Sequence, residues 1–114
     1  MSDCIFCRII NKEIPSTIVY EDEKVLAFND IQPVAPIHVL IVPKQHIGSV
    51  RELDSANSSV VADIHLAANK IAEKLGISEK GFRLINNCGP DAGQTVPHLH
   101  YHLLGGTNLG PKII

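Results

Sequence analysis

The chain has 114 residues, 45% of them hydrophobic and 19% charged, which is too apolar for a disordered protein and suits one domain over residues 1–114. Ten Lys and Arg against twelve Asp and Glu give a net charge of −2 with no basic block, which argues against a nucleic-acid-binding protein. No apolar run approaches the ~20 residues that span a bilayer. No N-terminal signal sequence, with a basic region followed by an apolar stretch, is evident either. We therefore expect a cytoplasmic protein without a membrane partner.

The first part of the chain predicts a short helix and three strands. Apolar residues within 4–13 are spaced to form one face of a helix. Two β-rich runs, 17–20 and 24–28, are joined by a polar turn and predict a hairpin. Two prolines make 30–36 a loop, and a strongly apolar strand follows at 38–42.

A long helix is predicted in the second part of the chain. Apolar residues from 60 to 75 recur at spacings of three and four, which places them on one face. Asp54 or Ser55 is the expected N-cap, and Gly76 suits the position just past the end of the helix.

Two further strands are predicted at 81–86 and 98–104, separated by a polar loop at 87–94. Five short strands and one long helix do not alternate as βαβ units. The hairpin signals therefore predict an α+β fold, with a five-stranded antiparallel sheet, one long helix and one short helix.

His98, His100 and His102 alternate along the last predicted strand and therefore face one side of it. A metal site and a solvent-facing edge are the plain alternatives for such a run. The Cα atoms of the first and last histidine would stand ~13 Å apart, too far for one zinc ion to bind all three. We favour nucleophilic and acid–base chemistry near neutral pH. The glycines and amides of loop 87–94 suggest a phosphate or carboxylate held against an imidazole.

Cys4 and Cys7 have the spacing of half a zinc site. A redox pair and two half-buried thiols on a short helix are the alternatives that the residues leave open. An odd total of three cysteines suits a reducing compartment, and Cys88 has no partner in this pattern. His65 lies beside the apolar face of the long helix, where a structural role is expected.

The segment His98-Leu-His-Tyr-His-Leu-Leu104 resembles the signature of the histidine-triad (HIT) superfamily. The flanking segments 91–97 and 103–106 resemble its Hint branch, the purine nucleoside phosphoramidases. Further matching segments in the first half of the chain are Cys4-Ile-Phe-Cys-Arg-Ile-Ile10, Ile14-Pro15, Ala27-Phe-Asn-Asp30, Ala35-Pro-Ile-His38 and Val42-Pro-Lys-Gln-His46. The resemblance covers essentially the whole chain.

This resemblance implies a HIT-like α+β fold and a homodimer in which the two sheets join. It also implies hydrolysis of the P–N bond of purine nucleoside monophosphoramidates, which are AMP–amine conjugates, through a covalent nucleotidyl-histidine. No metal is required for that chemistry.

The resemblance also implies roles for individual residues. Catalysis is assigned to His100 as the nucleophile, to His102 and His38 as the relay that supports it, and to Thr95 near the leaving group. Substrate contacts are assigned to Phe28 and Ile31 beside the nucleoside, Asp30 on the ribose, and Asn87 and Gln94 at the phosphate. A structural Zn²⁺ is implied at Cys4, Cys7, His46 and His98.

Two other functions compete with the phosphoramidase. One is a related enzyme that acts on dinucleoside polyphosphates or transfers nucleotidyl groups, although the family's transferases carry Gln at the position of His102. The other is a nucleotide-binding module that acts through protein partners. The tail 107–114 lacks the aromatic residue found in many Hint proteins, so it leaves the preferred amine open.

Overall fold

The computed structural model describes residues 4–114. Its helices and strands are, in chain order, α1 (Ile5–Ile10), β1 (Ile18–Glu21), β2 (Val25–Asn29), β3 (Ile37–Pro43), α2 (Ser59–Lys74), β4 (Arg83–Ile85) and β5 (Tyr101–Gly105). Short 3-10 turns lie at Val50–Glu52 and Pro90–Ala92. Within 4–114, no helix has the length and apolar character needed to cross a membrane.

All five strands pair antiparallel in one sheet, in the order β1-β2-β3-β5-β4. This confirms the predicted α+β fold with a five-stranded antiparallel sheet. The last strand lies between β3 and β4, so β3 and β5 are neighbours at the centre of the sheet. Their register pairs His38 with Leu104 and Leu40 with His102. Since alternate residues share a face, His38 and His102 lie on the same face of adjacent strands.

The two faces of the sheet carry different layers. The long helix α2 covers one face and encloses the larger core, to which Val25, Ala27, Val39, Ile41 and Leu103 contribute. The short helix α1 covers part of the other face, where Phe6 and Ile9 pack against Leu26, Phe28, Leu40 and Val42. Because β2 and β3 are covered on both sides, they are apolar at nearly every position instead of alternating.

The predicted boundaries need three corrections. The β5 ladder begins at Tyr101 and not at residue 98, because the Leu99 N–H donates to the Ile47 carbonyl (2.6 Å) and not to a neighbouring strand. The predicted strand at 81–86 is shorter, Arg83–Ile85. Helix α2 is preceded by Ser58, whereas the Asp54 carboxylate accepts hydrogen bonds in the turn before it.

Candidate active site

A pocket of about 820 Å³ opens between α1 and the face of the sheet that carries the histidines. The predicted residues Phe28, Asp30, Ile31, Thr95, His100 and His102 line it, together with Ile5, Phe6, Ile9, Ile14, Pro15, Ser16, Thr17, Asn29, Gln32, Leu40 and Val96. Its volume lies in the range of small-molecule sites, about 300–1,000 Å³. Apolar walls with two imidazoles among them suit a ligand that has an apolar part and an anionic part.

His38 lies behind the pocket wall, where its two ring nitrogens have opposite roles. The main-chain N–H of Val34 donates to His38 Nδ1 (3.1 Å), so this nitrogen is an acceptor. A neutral His38 therefore carries its proton on Nε2, which lies 2.9 Å from His102 Nδ1 and donates to it. His102 then carries its own proton on Nε2. Two hydrogen bonds thus fix which nitrogen of His102 holds the proton.

His100 is held in the opposite way. Its Nδ1 lies 2.7 Å from the main-chain carbonyl of His98, which only accepts, so the proton is on Nδ1. Nε2 of His100 is consequently unprotonated and carries a lone pair. The ring is 5% exposed and packs edge to face against Phe6 at 5.1 Å between centroids. With its Nε2 lone pair, this fixed imidazole is equipped to act as a nucleophile at the wall of the pocket.

Asp30 completes the group around His38. Its N–H donates to the His38 carbonyl (3.0 Å), its Oδ1 accepts from the N–H of Gln32 (2.8 Å), and its Oδ2 lies 3.3 Å from His38 Nε2. Oxygen and nitrogen atoms of Asp30, His38 and His102 come within 4.8 Å of one another, close enough for a metal. However, the Val34 N–H requires His38 to keep a proton on the nitrogen that would coordinate. The arrangement fits a proton better than a metal ion.

Acidification is predicted to destabilise the protein through His102. Burial, followed by the neighbouring rings of His100 and His38, lowers the pKa of His102 below 6.5, while Asp30 acts in the opposite direction. The unfolded chain therefore binds more protons than the folded one as the pH falls below about 6.5. The stability contributed by neutral His102 is complete above this pH and is lost as the pH falls through the folded-state pKa.

Melting temperatures about one unit above and one unit below pH 6.5 check this expectation. We expect a lower melting temperature on the acidic side, with a smaller drop in His102→Asn than in the wild type. His65→Asn, on the exposed side of α2, is the matched control. An acid-induced drop that is the same in wild type and His102→Asn would contradict the prediction.

The four predicted metal ligands come together at the other end of the histidine run. Cys4 Sγ lies 3.3 Å and Cys7 Sγ 3.6 Å from His98 Nδ1, and His46 Nδ1 lies 3.2 Å from Cys7 Sγ and 3.1 Å from His98 Nδ1. Ligands bound to one tetrahedral zinc at about 2.0–2.3 Å lie roughly 3.3–3.8 Å from each other. The observed separations are close to those of such a tetrahedron.

The protonation of His98 also fits a metal. Its Nε2–H donates to the Pro43 carbonyl (3.0 Å), which leaves the lone pair of Nδ1 directed at the cysteines. Metal-bound histidines usually donate their other N–H to an acceptor in this way. Burial lowers the pKa of His98, which favours the neutral form that coordinates. The donor set and the geometry therefore both fit Zn²⁺.

Asn87 and Gln94 do not line the pocket and instead brace the loop that leads to the histidines. The Asn87 side chain donates to the Ala92 carbonyl (2.8 Å). The Gln94 side chain donates to the carbonyls of Gly48 and Val96 and accepts from the N–H of Gly89. These bonds tie the loop to the segment after His46.

Several contributors to the site were not predicted, and two of them, Phe6 and Val34, act directly on the histidines. Phe6 is a buried pocket residue that contacts the rings of Phe28, His98 and His100, yet in the sequence it is only one apolar position of a short helix. Val34 acts through its main-chain N–H, which no side-chain pattern reveals. The position of Phe6 between Cys4 and Cys7 was the available signal, because predicted metal ligands on both sides would fix its orientation.

The chain is similar to known proteins over nearly its whole length. The HIT domain profile matches residues 11–109. The chain is 47% identical over 111 residues to purine nucleoside phosphoramidase of Escherichia coli (strain K12), covering 97% of this chain and 93% of the relative.

Solved structures are similar over nearly the whole fold. A HIT family hydrolase from Clostridium thermocellum has 62% identity and a TM-score of 0.97, with 100% of this chain and 99% of that chain covered. A histidine triad protein from Clostridium difficile has 54% identity and a TM-score of 0.95, with 98% and 97% covered. The chain therefore belongs to the HIT family, on the phosphoramidase-like branch predicted from its sequence, and is a hydrolase of that family.

Proposed function

We propose that this chain hydrolyses the P–N bond of purine nucleoside monophosphoramidates, through a covalent nucleotidyl intermediate on His100. One observation carries the proposal: the hydrogen bond from His100 Nδ1 to the His98 carbonyl, which leaves Nε2 with a lone pair in a pocket of nucleotide size. Similarity to the Escherichia coli purine nucleoside phosphoramidase supports the choice of substrate.

In the first step, His100 Nε2 forms a bond to the phosphorus while the P–N bond breaks. Positive charge develops on the His100 ring, and the His98 carbonyl stabilises it by accepting the Nδ1–H. The leaving amine needs one proton, which His102 Nε2 is placed to give. In the second step, water attacks the phosphorus, the bond to His100 breaks and the proton from water returns to His102. One difficult reaction is thereby divided into two easier ones.

Different residues of the site are proposed to contact different parts of the substrate. Phe28 and Ile31 are proposed to border the purine nucleoside, and Asp30 to bind the ribose hydroxyls. Asn87 and Gln94 are proposed to act on the phosphate through the loop that they brace.

Zn²⁺ is proposed at Cys4, Cys7, His46 and His98, where it would supply structural cross-linking and no chemistry of the reaction. It would tie α1 to the segment after β3 and to the segment before β5. The homodimer with a continuous sheet remains a prediction from the resemblance, and the cytoplasmic location remains a prediction from the sequence itself.

The direct test is turnover of a fluorogenic adenosine phosphoramidate, with the nucleotide product identified by chromatography. We expect amine and AMP to be released in equal amounts. A folded protein that binds AMP without releasing amine would contradict the proposal and favour a binding module. Hydrolysis of dinucleoside polyphosphates in preference to the phosphoramidate would favour the related enzyme.

Thr95→Ala is expected to slow departure of the amine. Thr95 lines the pocket together with His100 and His102, and its hydroxyl is proposed to hydrogen-bond the leaving group. We expect kcat to fall by about 10- to 100-fold for an alkylamine leaving group, with little change in KM. The loss should be smaller for an arylamine, which leaves more easily.

Thr107→Ala, in a different part of the surface, is the matched control for Thr95→Ala. Kinetics with the two leaving groups separate the possible roles of Thr95. A variant with raised KM and unchanged kcat would assign Thr95 to binding alone.

A further inference from the structure

In the proposed reaction, the number of protons that His102 carries decides whether it can donate one to the leaving amine. With its Nδ1 accepting from His38, a neutral His102 has one N–H, on Nε2. If that proton went to the amine, the ring would become an anion. His102 must therefore carry a second proton, on Nδ1, before the P–N bond breaks.

The surroundings of His102 make a second proton difficult to hold. A proton on His102 Nδ1 would face the Nε2–H of His38 across 2.9 Å. His38 cannot move its own proton to Nδ1, because the N–H of Val34 already donates there. Two N–H groups would then point at each other, and one of them needs a new acceptor.

The Asp30 carboxylate is the acceptor within reach. Its Oδ2 lies 3.3 Å from His38 Nε2, and Asp30 shares one cluster of polar atoms with His38 and His102. Its main-chain hydrogen bond to the His38 carbonyl and the bond from the Gln32 N–H to Oδ1 hold it there. The Asp30 side chain is 20% exposed, so it contacts both His38 and the pocket.

We propose that Asp30 is the counter-ion that allows His102 to carry a proton on both ring nitrogens, a positioning role that acts through the His38–His102 pair and adds to ribose binding. The proposal rests on the proposed function for its catalytic consequence. The His38 Nε2–H turns to Asp30 Oδ2, and His102 Nδ1 becomes free to take the extra proton. His102 Nε2 then gives one proton to the amine and later receives one from water, so no proton is gained or lost over the cycle.

Among residues 4–114, three titratable groups act on the pKa of His102. His100 on the same segment and His38 on β3 lower it, after the larger effect of burial, and Asp30 raises it. The β4 residue paired with His102 is the apolar Ile85. Asp30 is therefore the negative charge that opposes desolvation of a protonated His102.

The test measures the His102 ring directly, by ¹⁵N NMR titration of the histidines in full-length wild type and Asp30→Asn. Asparagine keeps an oxygen that can accept the Gln32 N–H, so the loop is preserved. We expect the pKa of His102 to be lower in Asp30→Asn than in the wild type. Asp54→Asn is the matched control, because Asp54 also accepts an N–H two residues later but lies in the turn before α2. Equal His102 titrations in Asp30→Asn and the wild type would overturn the proposal.

Kinetics separate the relay from ribose binding. With an adenosine phosphoramidate, Asp30→Asn should move the alkaline limb of the kcat profile to lower pH, because the general acid loses its proton earlier. With a 2′,3′-dideoxy phosphoramidate, no hydroxyl can reach Asp30. The shift should persist if Asp30 acts on the relay, and its absence with this substrate would assign Asp30 to the ribose alone.

The ¹⁵N NMR titration needs no substrate, so its result does not depend on the proposed function. A lowered His102 pKa in Asp30→Asn, together with a wild type that hydrolyses no phosphoramidate, would support the role of Asp30 and contradict the proposed function. Turnover by the wild type, together with a His102 pKa that is unchanged in Asp30→Asn, would support the proposed function and contradict the role of Asp30.

Discussion

His100→Ala is expected to lower kcat for an adenosine phosphoramidate by at least about 10⁴-fold, because it removes the atom that bonds to phosphorus. The remaining pocket cannot substitute for this nitrogen. His98 Nδ1 is directed at the cysteines, and His102 Nδ1 is engaged by His38. AMP affinity should change little by comparison, since Phe28, Asp30 and Ile31 remain in the pocket wall.

The His100 variant also tests the covalent intermediate. Wild type sampled during turnover and quenched with alkali and denaturant should show a mass increase of one adenylyl group, which is absent from His100→Ala, because the P–N bond of a nucleotidyl-histidine is labile to acid and stable to base. His65→Ala is the matched control, because His65 is an exposed residue of α2 that contacts Tyr101 and does not line the pocket. Substantial turnover by His100→Ala, or an adenylyl group on the protein without His100, would exclude His100 as the nucleophile.

Much of the architecture of this site could be predicted from alternation. Leu99 and Leu103 belong to the core beneath α2, while His98 and His100 are buried among the residues of α1 and His102 lines the pocket. The alternation of side chains begins before β5 itself. The period-two pattern therefore identified the two faces of segment 98–104 correctly, although the hydrogen-bonded ladder starts at Tyr101, three residues after the predicted start. Hydrophobic alternation reports on burial and says less about hydrogen-bonded pairing.

Contacts made by the main chain could not be predicted. The tautomers of His38, His98 and His100 each depend on a main-chain partner: the Val34 N–H, the Pro43 carbonyl and the His98 carbonyl. A residue pattern carries information about side chains, whereas these partners depend on how loops fold. The Cys4–Cys7 spacing likewise predicted only two of the four proposed metal ligands. His46 and His98 are brought to the cysteines by the hydrogen bond between the Leu99 N–H and the Ile47 carbonyl, which spacing does not reveal.

Removal of both thiols, in Cys4→Ser with Cys7→Ser, is expected to abolish zinc binding and to loosen α1. Freshly purified wild type should contain about one zinc per chain, since the separations of the four predicted ligands suit one tetrahedral site. A metal ion whose free concentration is 100 to 1,000 times its dissociation constant stabilises a folded protein by about 3–4 kcal/mol. For a domain of this size, that loss should lower the melting temperature by about 10 °C or more.

The same variant should bind AMP more weakly, because Ile5, Phe6 and Ile9 of α1 form one wall of the pocket. Cys88→Ser is the matched control: it also loses a half-buried thiol but lies outside the cluster. Metal analysis, thermal melting and AMP titration on the three proteins test the site without reference to turnover. A double variant that keeps its zinc would show that the metal is held elsewhere. One that loses zinc yet melts and binds AMP like the wild type would show that the cluster does not hold α1 in place.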